Sequence, residues 1–208
     1  MTINIGVLVS GEGTNLQAIM DSVESGKINN ATVSVVVSNK PDAPALKRAE
    51  KHGVDAVYID PTDYKGRRWD YDQLTLKALR EHGVTSEEGL VVNAGYMRIL
   101  SPEFVKKFWM REMNIHPSLL PSFPGLDAPK QALDYGVKVT GCTVHFVDEG
   151  VDTGPVILQE ALPILENDTV ETLTTRIHEV EHRLYPEAVR LFTEKKLVVE
   201  GRRVKVLL

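Results

Sequence analysis

The chain has 208 residues, 42% of them hydrophobic and 25% charged, which is enough apolar surface for one domain or two packed lobes. With a net charge of −5 and no long run of like charges, it offers neither a nucleic-acid groove nor an anchor for an anionic membrane. The single cysteine, Cys142, excludes a disulfide framework, and the absence of a basic leader or a long apolar span predicts a soluble, cytoplasmic protein.

Ile3 to Val9 is a short apolar run that predicts a buried strand, closed by the glycine turn Ser10-Gly11-Glu12-Gly13-Thr14-Asn15. Leu16 to Val23 carries apolar residues at helical spacing, with Thr14 or Asn15 as the expected cap. Strands at Thr32–Val37, Ala56–Ile59 and Leu90–Ala94 alternate with helices at Ala45–Lys51 and Tyr71–Arg80. Strands and helices alternating at this spacing imply parallel β-α-β units, hence a Rossmann-like, doubly wound α/β sheet over residues 1–100. Residues 101–208 change character. Glu112 to His116 alternates like a strand, a proline-rich loop runs from Pro117 to Pro129, and a short helix spans Lys130–Asp134. Further strands are expected at Thr140–Val147 and Val156–Ala161, then a long amphipathic helix at Thr169–Phe192 and a small terminal hairpin. The predicted fold is therefore a mostly parallel sheet that continues into a mixed C-terminal half, the whole making one compact domain.

Three side chains could carry chemistry without a metal or a covalent nucleophile. In a strand at 112–116, Asn114 and His116 point to one side while Met113 and Ile115 point to the other. Pro117 ends that ladder and leaves His116 at the strand's C-terminal edge, where open α/β sheets bind ligands. Asp152, in the acidic loop Asp148-Glu149-Gly150-Val151-Asp152, is the candidate partner that orients His116. An amide, an imidazole and a carboxylate together can polarise a carbonyl, hold an oxyanion and move a proton. Spacing alone does not separate this from a solvated turn beside an ordinary core histidine. His145 is either a supporting group or a lining residue.

The glycine turn, between a first strand and a first helix, can cradle a phosphate on its backbone amides. It lacks both the G-K-[ST] ending of a nucleotide-triphosphate loop and the third glycine of a dinucleotide loop; a plain β-α turn is the other reading. Tyr96 to Pro102 offers Met97, Arg98, Ile99 and Leu100 as an apolar slot for a flat heteroaromatic ring, or as the buried cap of a helix. His178-Glu179-Val180-Glu181-His182 is a literal H-E-x-x-H. A zinc site there needs a third ligand, and no histidine follows His182, so no metal is expected. Ser118 and Cys142 lack the settings of covalent nucleophiles.

The segments S-G-E-G-T-N-L at 10–16, S-N-K at 38–40, A-G-Y-M-R-I-L at 94–100, N-I-H-P-S-L-L-P at 114–121, F-P-G at 123–125, G-C-T-V-H-F-V at 141–147, D-x-G-P-V-I at 152–157 and E-H-R-L-Y-P at 181–186 resemble the phosphoribosylglycinamide formyltransferases. These belong to the folate-dependent formyltransferase superfamily. The matches run in order along nearly the whole chain. The resemblance implies transfer of a formyl group from 10-formyltetrahydrofolate to the amine of 5-phosphoribosylglycinamide, in de novo purine biosynthesis.

Carried onto this chain, the resemblance implies that Gly13, Thr14 and Asn15 bind the substrate phosphate. Asn114 would bond the formyl oxygen, His116 would stabilise the oxyanion and donate a proton, and Asp152 would fix His116 and shuttle the amine proton. Met97, Arg98, Ile99 and Leu100, with Asp148, Glu149, Gly150, Val151 and Asp152, would embrace the pterin, and Arg68 would face the folate tail. His178, Glu179, Val180 and Glu181 would contact the amine substrate. Partners would be these small molecules, with no nucleic acid and no membrane, and with monomer or homodimer left open. Two departures stand out: Asp127-Ala128-Pro129 replaces a common His-x-His, and Asn93 stands where an apolar strand residue is commoner. Methionyl-tRNA formyltransferases and formyltetrahydrofolate hydrolases share the core but carry additional domains. A non-catalytic nucleotide-binding module would keep the glycine turn with no need for the Asn-His-Asp set.

Overall fold

The computed structural model describes residues 2–207. They form two compact units that divide between Met113 and Asn114. In the first unit, β1 (Ile3–Val9), β2 (Ala31–Ser38), β3 (Asp55–Tyr58) and β4 (Leu90–Asn93) lie in the order β3-β2-β1-β4, and every pairing among them is parallel. The crossovers are α1 (Thr14–Glu24), α2 (Pro44–Lys51) and α3 (Arg68–Glu81); α4 (Pro102–Lys107) follows β4. Buried on both faces, the strands read as continuous apolar runs: Val7, Leu8, Val9, Val35, Val36 and Val37 are all fully buried. This is the parallel α/β half that the alternating pattern predicts.

Strand order reverses beside β1, since the chain builds outward to β2 and β3 and then returns to β4. At such a switch point the loops leaving the strand C-termini diverge and open a ligand crevice. Here those loops are the glycine turn after β1 and residues 94–100 after β4. They are tied together, because the Met97 backbone N–H donates to Ser10 Oγ at 2.8 Å.

The first unit also buries a polar pair. Glu112 opens β5 (Glu112–His116) fully buried, and Asn93 Nδ2 donates to its Oε1 at 2.7 Å. Burial raises the Glu112 carboxyl to about 8; the Asn93 hydrogen bond pulls the other way and the Asp72 charge adds to the rise. Asn93 thus has a specific polar partner, which explains an amide at a position that favours apolar residues.

The second unit contains α5 (Ala128–Tyr135), β6 (Val139–Phe146), β7 (Val156–Pro163), α6 (Val170–Thr193), β8 (Leu197–Glu200) and β9 (Arg203–Val206). Its strands run β6-β7-β9-β8, antiparallel for β6–β7 and β8–β9 and parallel for β7–β9. This is the mixed half that the sequence predicts. Helix α6 starts at a capping box, in which Thr169 and Thr172 exchange side-chain to backbone bonds. It packs Leu173, Ile177 and Val180 against Cys142 and Leu162. Burial pushes the Cys142 thiol up to about 12, a structural cysteine in character. Among the described residues no helix is long and apolar enough to cross a membrane.

Candidate functional site

The second unit gathers Asn114, His116 and Asp152. His116 Nδ1 lies 3.3 Å from Asp152 Oδ2, and Asn114 Nδ2 lies 3.5 Å from Asp152 Oδ1. The His116 and Asp152 side chains are only 5% and 12% exposed, so their interaction is weakly screened. The local cause is the one the alternation implies: residues 114 and 116 share a face of β5, and a loop between β6 and β7 brings in the carboxylate. Asp152 has a left-handed backbone, φ 54°. That conformation is costly for most side chains but tolerated by Asp and Asn.

Two backbone groups of the proline-rich loop complete the arrangement. His116 Nε2 is 2.8 Å from the Phe123 carbonyl oxygen, and the Gly125 N–H donates to Asp152 Oδ2 at 2.8 Å. Both ring nitrogens of His116 therefore face oxygen acceptors. The loop is pinned by Thr143, whose hydroxyl donates to the Ser118 carbonyl at 2.7 Å and accepts from Leu120 N–H at 3.1 Å. Gln159 Nε2 reinforces it by donating to the Leu120 carbonyl at 2.8 Å. The Leu120–Pro121 peptide is cis.

His145 joins the group. The β6–β7 register shifts between Val144 and His145, a local irregularity of the kind that re-aims a side chain. Its Nε2 sits 3.3 Å from Asn114 Nδ2 and 3.7 Å from Asp152 Oδ1. Burial holds its pKa below the ordinary histidine value, against the opposing pull of the Phe146 carbonyl and Asp152. The sequence alone leaves His145 between a supporting and a lining role, because the register shift that aims it has no local signal.

In the rest of the acidic loop, Asp148 Oδ1 accepts from Gly150 N–H at 3.1 Å and from the Thr153 hydroxyl at 2.5 Å. The Asp148 carboxylate is turned into its own loop, while Glu149, Gly150 and Val151 are exposed.

On α6, His178 and His182 stack with ring centroids 6.1 Å apart. Burial lowers the pKa of both, with His178 adding a further lowering effect on His182. Glu181 is buried, with His178 Nε2 at 4.0 Å, whereas Glu179 is exposed. Among the described residues, the group with three potential ligand atoms in mutual range is Asp21, Glu24 and His52, in the first unit, so the H-E-x-x-H segment contributes no such cluster.

In the first unit, the cap of α1 is Gly13 (φ 71°), with no side-chain cap bond, rather than the expected Thr14 or Asn15. A left-handed cap fits glycine, and the backbone turns one residue earlier than the hydroxyl and amide signals suggest. Ser10 Oγ donates to Asn39 Oδ1 at 2.5 Å and accepts from the Met97 N–H, so its hydroxyl is engaged within the protein. In the segment after β4, Met97 and Ile99 are 65% and 59% exposed while Leu100 is buried. The Arg98 guanidinium lies 4.0 Å over the Tyr71 ring, a cation–π contact that fixes the segment. Arg68 opens α3, exposed.

Residues 3–189 match the model of the formyl transferase family. A trifunctional purine biosynthetic protein adenosine-3 of Gallus gallus is 47% identical over 91% of this chain, which covers 18% of that relative. The chain thus spans less than a fifth of that longer protein. A phosphoribosylglycinamide formyltransferase of Bacillus subtilis (strain 168) is 41% identical over 88% of this chain and 91% of its own length. Among solved structures, glycinamide ribonucleotide transformylase 1 from Symbiobacterium toebii is 54% identical, covering all of this chain and 95% of that one, with a TM-score of 0.94. A family model covering most of the sequence, full-length relatives above 40% identity and a matching fold agree: this chain belongs to the formyl transferase family.

Proposed function

We propose that the protein transfers the formyl group of 10-formyltetrahydrofolate to the amine of 5-phosphoribosylglycinamide. The observation that carries this reading is the approach of Asp152 to both His116 Nδ1 (3.3 Å) and Asn114 Nδ2 (3.5 Å) in a member of the formyl transferase family. Attack of the amine nitrogen on the formyl carbon forms a C–N bond and leaves a tetrahedral oxyanion. Asn114 Nδ2 and a protonated His116 become the donors for that oxygen, Asn114 by giving up its long 3.5 Å bond to Asp152 and His116 by giving up its bond to the Phe123 carbonyl. Asp152 takes the amine proton through water. Collapse of the intermediate breaks the bond to N10 of the folate, and His116 supplies the proton N10 gains. The products are the N-formyl ribonucleotide and tetrahydrofolate.

In this reading Gly13, Thr14 and Asn15 hold the phosphate, and His178 to Glu181 meet the glycinamide portion, with Glu181 near the amine. Residues 97–100 and 148–152 hold the pterin, and Arg68 faces the folate tail. Removing one aimed oxyanion donor typically costs about 2.7–4 kcal/mol of barrier, and acid–base help contributes roughly a hundred- to ten-thousand-fold. Juxtaposing two reactants supplies about 7–11 kcal/mol. Positioning is therefore the largest share, which fits a site that uses its side chains without a covalent intermediate.

The test mixes protein, 10-formyltetrahydrofolate and phosphoribosylglycinamide and follows folate absorbance. Turnover that requires the amine supports the transferase. Turnover without it identifies a hydrolase, and loss of turnover to a chelator revives a metal at the H-E-x-x-H segment.

A further inference from the structure

The glycine turn is braced from one side by α2. The Gly11 carbonyl accepts from Ala45 N–H at 3.1 Å, and the Glu12 carbonyl accepts from Arg48 Nε at 2.7 Å. A trans peptide is planar, with its N–H opposed to its C=O. Pinning these two successive carbonyls against α2 therefore turns the N–H groups of Glu12 and Gly13 the other way. Gly13 then takes its left-handed conformation with α2 flush behind it: a Cβ there would lie 2.6 Å from the Ala45 Cβ and 3.6 Å from the Arg48 Cδ. Successive amides aimed to one side at the start of a helix make an anion-binding nest. The same guanidinium reaches α1, as Arg48 Nη1 donates to Gln17 Oε1 at 3.4 Å. Gln17 Nε2 in turn lies 2.8 Å from both Asp21 Oδ1 and His52 Nε2.

We infer that Arg48 is a positioning residue for phosphate recognition: it holds the carbonyl side of the 11–13 turn against α2 so that the turn's amides present to a phosphate monoester. The inference rests on the functional reading above and deepens its phosphate site. Arg48 brings a charged side chain into hydrogen bond with the turn's backbone, and its positive charge favours an anion nearby.

The experiment compares full-length wild type, Arg48→Met and Arg48→Lys on two amines, phosphoribosylglycinamide and the corresponding glycinamide riboside without phosphate. Arg48→Met keeps the apolar stem and removes the donors. It is expected to raise KM for the phosphorylated amine about tenfold, the scale of a lost charge-assisted hydrogen bond, with the folate KM within about twofold. With the riboside the defect disappears. Arg48→Lys keeps the charge but reaches Glu12 or Gln17 and not both, so it falls between the two. Inorganic phosphate, as a competitor of the amine, weakens in the same order. Where circular dichroism shows Arg48→Met unfolded, the phosphate titration of Arg48→Lys against wild type decides. An unchanged KM, an equal loss with both amines, or identical phosphate inhibition in wild type and Arg48→Lys overturns the inference and leaves the transferase reading intact. A wild-type protein that formylates neither amine overturns that reading, and the assignment of Arg48 with it.

Discussion

His145 and Asn114 are hydrogen-bonded beside His116 and Asp152, Nε2 to Nδ2 at 3.3 Å, while His145 Nδ1 lies 2.8 Å from the Phe146 carbonyl. A carbonyl only accepts, so Nδ1 carries the proton and Nε2 presents its lone pair. Burial, which disfavours the charged ring, supports the same neutral tautomer. Asn114 must then offer an N–H to His145, and this settles which end of its carboxamide faces which way. A flipped amide would set the Asn114 oxygen against the histidine lone pair and lose the bond.

The orientation of Asn114 thus depends on His145, and a kinetic signature follows. His145→Ala should lower kcat about a hundredfold, the scale of a misoriented reacting group, with both KM values within about threefold. His145→Gln, whose carbonyl oxygen can accept in place of Nε2, should recover part of the loss. Steady-state kinetics on both substrates check this, and a His145→Ala enzyme with undiminished kcat removes the role.

Asp152 and His116 make a second, stricter case. Asp152→Asn retains volume and suits the left-handed φ of 54°, so unfolding midpoints should stay close to wild type. The charge beside His116 Nδ1 is nevertheless gone. Turnover is expected to fall roughly a hundred- to ten-thousand-fold, the range of acid–base assistance, and His116→Ala should fall as far. Binding of phosphoribosylglycinamide by calorimetry should persist in both variants. Near-wild-type turnover in either would contradict the assigned proton path.

These residues also show what a linear reading reaches. The alternation at 112–116 and the proline after it are local, so the shared face of Asn114 and His116 was legible. So were the parallel first half, from its strand and helix spacing, and α6, whose apolar period is continuous in sequence. The Phe123 and Gly125 contacts to His116 and Asp152 were not legible, because they are made by backbone groups that any residue carries. Nor was the aim of His145, which depends on one register shift against β7. The cap of α1 went to Gly13 because backbone handedness outweighed two good capping side chains.

Glycine chemistry in that turn gives a stability test with an internal control. Gly13→Ala forces a side chain to φ 71° and within 2.6 Å of the Ala45 Cβ. The left-handed backbone alone costs about 1–2 kcal/mol, and the contact adds to it. At Gly11 an added Cβ meets nothing within 4 Å, and no left-handed φ is required, so Gly11→Ala should be neutral or stabilising by about 0.4–1 kcal/mol through the unfolded chain. Urea unfolding of the two variants should separate them by at least about 1 kcal/mol; equal stabilities would refute the strained-cap account.

The Glu112 carboxyl makes stability depend on pH in a direction opposite to that of a carboxylate held charged by a cation or by hydrogen bonds. Its native pKa is raised to about 8, chiefly by burial, whereas in the unfolded chain it titrates in the ordinary glutamate range near 4.5. Between those values the unfolded chain has released a proton that the native chain keeps. Unfolding therefore releases protons, and stability falls as pH rises. The contribution is fully present below about 4.5 and is lost progressively as pH climbs through about 8, where the native carboxyl finally ionises. Asn93 donates to Oε1, and Asp72 nearby makes the charged form still less welcome. Glu112→Gln removes the titration and keeps an oxygen for Asn93 Nδ2. Its unfolding midpoint should be flatter than that of wild type from pH 5 to 9, and higher at the alkaline end by a few degrees, equivalent to roughly 1–2 kcal/mol. Parallel pH profiles for the two proteins would mean that Glu112 is already ionised in the native state, and that Asn93 and its surroundings hold a charge there.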